Sequence, residues 1–564
     1  MTDPEPTGPV PNPPARQPFP TPPTPASNAT RHLCVGAYLD EDFQRASLNE
    51  VYHQRRRLIA PSYGFDLIAV LGQCLQARRL AVIRDAAIVV VLGGALCAAP
   101  LAMTFVIGLL ITLYLFTSSW QVVRDTAREL RRGRSASAGV IVGRAVVMVF
   151  RIVAALTISF VLSTLTAGVA LVGLAGSRED DGTSGSLSSM SLALAPVTTV
   201  GLLVFALGAP IAANILRQSQ LERLAPGCTP PAPARSERFD EIRRQESGNT
   251  VVFAGYRPFV GSGVLVKNWG FAQRLVRAGD PLTGLAPEAN REFDTAPFSA
   301  VELLAHLRDN LGRLATEQEP EQQLPGLTVD DRVFLAGTEV AHLVPYTDPA
   351  HLPGIIRHPT APLRHYLVCQ VISWRGELVT TVYVHVAVQG RALYMEFTST
   401  ALPPCDERFR VVDQVGGTGP AAFFRAGIRG LLYAPGTIGR APLNLVRAGI
   451  EALSNSLPGS NGPTRLGYDY GARSSVRELG MAADTRHHLQ TQEVDKHQRI
   501  IERRLLAVVL DFLERRGVDT SEYRQRATTL LNAGAIVTGG NLTVQGDVHS
   551  SQTNNPPPGE GAKR

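Results

Sequence analysis

Charged side chains are scarce in this chain: Asp, Glu, Lys and Arg make up 18% of 564 residues, whereas prolines number 40. That leaves little for an ordinary soluble surface, and a slightly positive mean hydropathy points to a chain that is partly lipid-embedded. Cysteine is equally sparse. Cys34, Cys74, Cys97, Cys228, Cys369 and Cys405 lie no closer than 23 residues apart, which excludes paired metal knuckles and redox pairs. No secretory leader is expected over Met1 to Asn28, which is proline-rich rather than basic and then apolar. No Walker lysine or dinucleotide fingerprint accompanies Gly261-Ser262-Gly263, so no nucleotide cofactor is expected; that loop reads as a turn beside a strand.

The longest gap in charge runs from residue 86 to 123. A single helix of that length would far exceed the hydrocarbon core, so two short helices turning around Cys97 to Met103 are expected. Further uncharged stretches run from Ile152 to Ser177 and from 186 to 216. They predict a membrane domain over 81–216 with four spans, about 86–101, 103–122, 152–175 and 192–216. Arginines cluster at 78, 79 and 84 and again at 124, 128, 131, 132 and 134, while Arg178-Glu179-Asp180-Asp181 is net acidic. By the positive-inside tendency both termini are then cytoplasmic, in a bacterial inner membrane. The net charge of +6 stems mostly from such arginines, which suits an anionic leaflet rather than nucleic acid.

Outside that domain, residues 1–28 read as a disordered proline-rich tail and 29–80 as a cytoplasmic helical segment. Residues 224–480 read as an α+β domain. Its clearest part is an antiparallel β-meander of Tyr366 to Trp374, Glu377 to Val388 and Arg391 to Thr398, with Val382, Val384 and Val386 on one face and Tyr383 and His385 on a wetter one. Ser299 and Glu302 predict a capped helix to about Leu314. Terminal helices over 490–531, a short β-prone tail at 534–548 and a disordered end at 549–564 complete the chain.

Two sets of residues invite contacts. Arg144, Arg151, Arg425, Arg429, Arg440 and Arg447 stand among apolar neighbours, the last four in a glycine- and proline-interrupted stretch, 418–450, that reads as broken amphipathic helices on anionic lipid. Val494, Ile501, Leu505, Val508 and Phe512 recur with helical spacing and form a stripe for self-association or a protein partner. No nucleophile, base and orienting group can be assembled from spacing, and His487-His488 with His497 is no metal signature, so catalytic residues stay unassigned.

The alanine, glycine and arginine usage, Tyr468-Asp469-Tyr470-Gly471-Ala472-Arg473-Ser474-Ser475 and Val494-Asp495-Lys496-His497 resemble multi-pass membrane proteins of actinobacteria, from residue 31 onward. That family brings no assigned activity. The expected function is a membrane-anchored scaffold or signalling module, with a small-solute transporter or channel, or a membrane-bound hydrolase, as alternatives.

Overall fold

The computed structural model describes residues 27–98, 106–118, 146–151 with four further residues up to Thr164, 184–279, 291–317, 319, 323–340, 345–456, 468–482 and 488–532. The tail 1–26, Arg144, nearly all of the segment 152–175, and the tails 534–548 and 549–564 lie outside the described residues.

The chain enters through α1, Asn28–Leu39, whose first turn is capped by the Ser27 hydroxyl accepting from the Thr30 amide. Asp40 caps α2, Glu41–Ser47, which ends in a π-helical turn, Leu48–Tyr52. Then comes α3, Leu67–Ala98, a 32-residue helix of about 48 Å. Its first half is not a linker to a membrane segment. Leu67, Val70, Leu71 and Cys74 are buried in a core with α1, Phe239 and Ile242, and with Phe409 and Val412 from far along the chain. Its second half contributes Ile88 to a separate cluster with Val106 and Leu110 of α4, Val106–Ser118, and with Ala206, Ala434, Ile438 and Ala441. The same helix therefore belongs to two cores.

Two more long helices complete the second cluster. They are α5, Ser184–Glu222, and α9, Pro420–Ser456, which pack against each other and against α3. The expectation of broken helices in 418–450 is corrected here, because α9 runs unbroken through Pro435 and Pro442. An interior proline costs about 3 kcal/mol, but Ala434, Ile438 and Ala441 are buried against the neighbouring helices, and that packing holds the helix together. The four-span arrangement is also corrected. Among the described helices only Val200–Glu222 is long and apolar enough to cross a membrane; Val106–Ser118 falls short of the ~20 residues required. The span expected at 86–101 is described only to Ala98, as the uncharged end of a helix that carries Arg78, Arg79, Arg84 and Asp85 just before it.

Between these helices lies a mixed sheet. With α6 (Glu237–Glu246) preceding it, the sheet comprises β1 (Thr250–Phe253), β2 (Val264–Arg274), β3 (Leu327–Ala336), β4 (Arg364–Ser373), β5 (Leu378–Gln389) and β6 (Ala392–Leu402), in the order β1-β3-β4-β5-β6-β2. The meander is present as β4-β5-β6, but it forms the middle of a larger sheet, with β1 parallel to β3 at one edge and β2 antiparallel to β6 at the other. One face is covered by α7 (Ala300–Arg313, capped by Ser299) and α11 (His488–Arg515), with α12 (Ser521–Asn532) behind. Val382, Val384 and Val386 point into that core. The opposite face is not wet. Phe259 stacks on Tyr383 at 4.2 Å between centroids, and Phe334 and Tyr366 close around them. His385 is buried there too, its Nδ1 donating to the main-chain oxygen of His365 at 2.8 Å, so its expected position on a wetter face is corrected.

Gly430 marks the closest approach of the bundle: a Cβ there would sit 2.8 Å from Ile211 Cα and 3.1 Å from Pro210 O, whereas a Cβ at Gly427 meets nothing within 4 Å. Gly430→Ala is expected to force α5 and α9 apart and lower the melting temperature by the equivalent of about 1–3 kcal/mol. Gly427→Ala, gaining up to ~1 kcal/mol of helix propensity, should leave it unchanged or higher. Thermal unfolding of the two variants in one detergent compares them directly.

Candidate functional sites: a buried ionic knot and an arginine-lined foot

The turn between β4 and β5 places the first site. Trp374 and Arg375 adopt φ of 51° and 53°, and Gly376 follows at 85°. Left-handed backbone is costly for the two non-glycine residues, and it is held by the approach of Gly376 to Gly64, whose carbonyl oxygen would lie 2.0 Å from a Cβ. Trp374 Nε1 also donates to Glu493 of α11. The result delivers Glu377 into the interior against α1. There one oxygen of its carboxylate meets His32 Nδ1, and the other accepts from the Cys405 amide at 3.0 Å and from Arg410 at 3.1 Å. His32 Nε2 donates to Asp413 at 2.6 Å, and Arg31 reaches the other oxygen of Asp413 at 2.5 Å. Arg477, fully buried, donates to Glu377 O at 2.9 Å, Pro403 O at 2.7 Å and Cys405 Sγ at 3.0 Å.

His32, Glu377 and Cys405 bring three possible metal-ligand atoms within 4.8 Å of one another. No spacing rule points to this triad, because its members come from α1, a strand turn and the loop after β6. Their chemistry argues for a knot of charge. Burial raises the Cys405 thiol to about 12 although Arg477 opposes this, and its sulfur accepts from Arg477. Burial also tends to raise the Glu377 carboxyl, but the His32 hydrogen bond and the charges of His32, Arg477 and Arg410 outweigh it and bring the group down to about 2. Each ligand atom is thus already held by a protein partner.

The second site lies where α1 and α2 meet the bundle. A cavity of about 300 Å³ is walled by α1, α2, α3, α5 and α9. Arg78 pairs with Glu451 at 2.7 Å, Arg84 with Asp85 at 2.8 Å, and Asn444 donates to the buried Asp85 carboxylate at 3.2 Å. Arg217 and Arg447 also line it, and neither makes a hydrogen bond or ion pair with another described residue. Beside it a smaller cavity, of about 140 Å³, shares Asn214 and Arg217 and adds Arg425 and Arg429. Loop 414–419 forms its rim. Gln218 donates to Gly417 O at 3.0 Å, and Glu222 accepts from the Gly419 amide at 2.7 Å, latching the end of α5 to the start of α9.

The arginines singled out in the sequence thus separate. Arg425, Arg429 and Arg447 face the two cavities, Arg440 is exposed on α9, Arg151 is half-buried in the short helical piece 146–151, and Arg144 lies outside the described residues. Arg217 was not singled out, although its position just after an uncharged run was a usable signal. The stripe of Val494, Ile501, Leu505, Val508 and Phe512 is buried. Its last four members pack in the main core against the sheet, and Val494 sits with Leu378 and Ala401. Those five side chains are therefore covered within this chain. The glycine loop 261–263 is also occupied from within: the amides of Gly261 and Gly263 donate to Glu478 at 2.8 and 3.2 Å, so a phosphate would have to displace an internal carboxylate.

The sign of the pH effect at the knot follows from Glu377. Its folded carboxyl is depressed from 4.5 to about 2, so its stabilisation is complete above the unfolded value and is lost as pH falls from 4.5 toward 2. Glu377→Gln is expected to destabilise the chain by about 3–5 kcal/mol at neutral pH, as loss of one partner from a buried pair does, and to flatten the acid limb of its stability curve. Chemical denaturation between pH 2 and 7 measures both.

With this geometry in place, the comparisons with known proteins are narrow. No curated protein and no solved structure matches the chain. The resemblance to multi-pass actinobacterial proteins from residue 31 onward is not supported, since one described helix alone meets the requirements of a span and no match carries such a family. Residues 268–545, just under half of the chain, are similar to the family described as the AbeC-like domain, a match that takes in most of the sheet, α7, α9, α11 and α12 and leaves out α1 to α6.

Proposed function

We propose that this chain is a membrane-anchored scaffold or signalling module, in which α5 is the anchor and the mixed-sheet body the presented part. The observation that carries this reading is the continuity of α5. Over Val200–Glu222 only 11% of its most apolar window is covered by the rest of the protein, with Val200, Val204, Phe205, Ile215 and Leu216 exposed. Such a surface is unfavourable in water and favourable in lipid. Yet the helix does not end in a free linker. Leu221 and the following Leu224 are buried in the core that also holds α1, Phe409 and Val476, so any displacement of α5 is felt by the body it anchors.

Exposed arginines on α9, among them Arg440 and Arg447, lie beside exposed Leu443, Val446 and Ile450. This supports contact with an anionic leaflet along that helix, the guanidinium groups reaching head groups while the apolar side chains enter the interface. An inner-membrane location with the sheet body at the cytoplasmic face is part of the same proposal.

Membrane fractionation of the full chain tests the anchor. The protein is expected in the membrane fraction after alkaline carbonate washing, and Val204→Arg combined with Phe205→Arg, costing about 5–7 kcal/mol by insertion scales for two mid-helix charges, should release it. Recovery of the unmodified chain in the soluble fraction, or equal retention of the charged variant, rejects α5 as the anchor.

A further inference from the structure

The smaller cavity differs from every other charged cluster described above in having no acid. Its walls are the end of α5, the segment 411–417, Leu39 at the end of α1 and the first turns of α9, and they bring Arg217, Arg425 and Arg429 together without any Asp or Glu among the lining residues. Glu222, the nearest carboxylate in sequence to Arg217 on α5, is engaged by the Gly419 amide outside the cavity wall. Arg425 is held in place from behind, its Nε donating to Ala421 O at 3.1 Å and its Nη2 to Gly416 O. Arg217 and Arg429 make no hydrogen bond or ion pair with a described residue. Arg217 bears the like charges of Arg429 and Arg84 against that of Glu41.

Such a grouping is unfavourable without a ligand. Like charges four residues apart on a helix, as at 425 and 429, destabilise it by a few tenths of a kcal/mol, and a third cation on a facing helix adds to this. Guanidinium forks satisfy tetrahedral oxyanions by paired, charge-assisted hydrogen bonds. The start of α9 at the rim brings the positive end of a helix dipole to the same place. At about 140 Å³ the cavity is smaller than the few hundred Å³ usual for a drug-sized ligand, so it suits a phosphate group and not a whole nucleotide.

We propose that this cavity binds a phosphate group, free or as a monoester, between Arg217, Arg425 and Arg429. The site does not depend on where α5 resides, and it adds a ligand to the module proposed above.

The test uses the full chain in a zwitterionic detergent, with calorimetric titration of inorganic phosphate in one arm and of a short-chain phosphatidic acid in the other, and the matching diacylglycerol as the uncharged control. Saturable binding is expected in at least one arm, weakened about tenfold or more by Arg217→Gln or Arg429→Gln, as loss of a charge-assisted pair predicts. Arg440→Gln, on the same helix but lining neither cavity, should bind as the unmodified chain does. Arg429 is exposed, so its variant keeps the core intact, and Arg429→Lys, retaining charge without the fork, should lose part of the affinity. Binding of phosphate alone identifies a soluble ligand, and binding only of the lipid identifies a head group; either supports the site. No binding in either arm, or the same affinity in the Arg217 and Arg429 variants as in Arg440→Gln, overturns it. Because no membrane is used, this result stands apart from the outcome of the fractionation.

Discussion

A carboxylate withdrawn from water at Glu377 sets the constraint on which the rest depends. An ionised group at that depth is tolerable only if its partners are all present together, and those partners are His32 of α1, Arg410 after β6, and the charge of Arg477 in the short helix Val476–Leu479, which also holds the Glu377 main-chain oxygen. The N-terminal helix cannot dock without the strand turn, and the strand turn leaves a buried charge unpaired without the helix. Hydrophobic burial around it, with Ala29, Leu33, Phe409 and Val476 in one core, supplies the bulk attraction. The ionic knot supplies the register.

That register propagates outward through α3. Its buried first half is packed on the knot's core and its second half on α4, α5 and α9, so the bundle takes its orientation from the same helix that α1 rests on. At the far side of the sheet, Glu502 of α11 accepts from Lys267 at 2.9 Å and from Trp269 at 2.7 Å, which fixes the terminal helices over the edge strand β2. The α11 stripe then closes the core with Ile501, Leu505, Val508 and Phe512. Its apolar face was readable from spacing alone. What it packs against was not, because periodicity gives a face and not the identity of the surface that covers it.

The same limit separates the legible parts of the fold from the others. The meander, the Ser299 cap and the terminal helices are local, each fixed by alternation, a capping pair or a helical period, and each appears within a few residues of its expected position. β2 went unread because Lys267, Asn268 and Gly270 interrupt its apolar pattern, an interruption suited to an edge strand. The parallel pairing of β1 with β3 is nonlocal, and it is extended by Ala472, which accepts from the Ala254 amide and donates to Val252 O. Tyr468 to Ser475 was conspicuous as a motif; its physical content is this addition to the sheet and the Ser475–Glu478 capping box. In the candidate sites, Arg425, Arg429 and Arg447 were visible because they interrupt apolar sequence. His32 and Glu377 were invisible, being 345 residues apart.

Guanidinium groups are treated differently in the two halves of the molecule. In the sheet body and the N-terminal core two enclosed ones find main-chain acceptors: Arg238 donates to the main-chain oxygens of Val51, Tyr52 and Gln54, and Arg477 to two carbonyls and a sulfur. Those contacts satisfy charge with fixed dipoles and demand no ligand. At the foot of the bundle, Arg217, Arg429, Arg440 and Arg447 meet no such acceptors among the described residues. Water can hydrate Arg440 and Arg447 along an open helix face, and an anionic surface can replace that water. Arg217, half-buried, shares a cavity wall with the exposed Arg425 and Arg429, with no acid among the lining residues to offset the three like charges. A lining of this kind persists at lowest cost when a negative group occupies it, and the latch of Gln218 and Glu222 to loop 414–419 holds that lining on the helix that carries the exposed apolar surface.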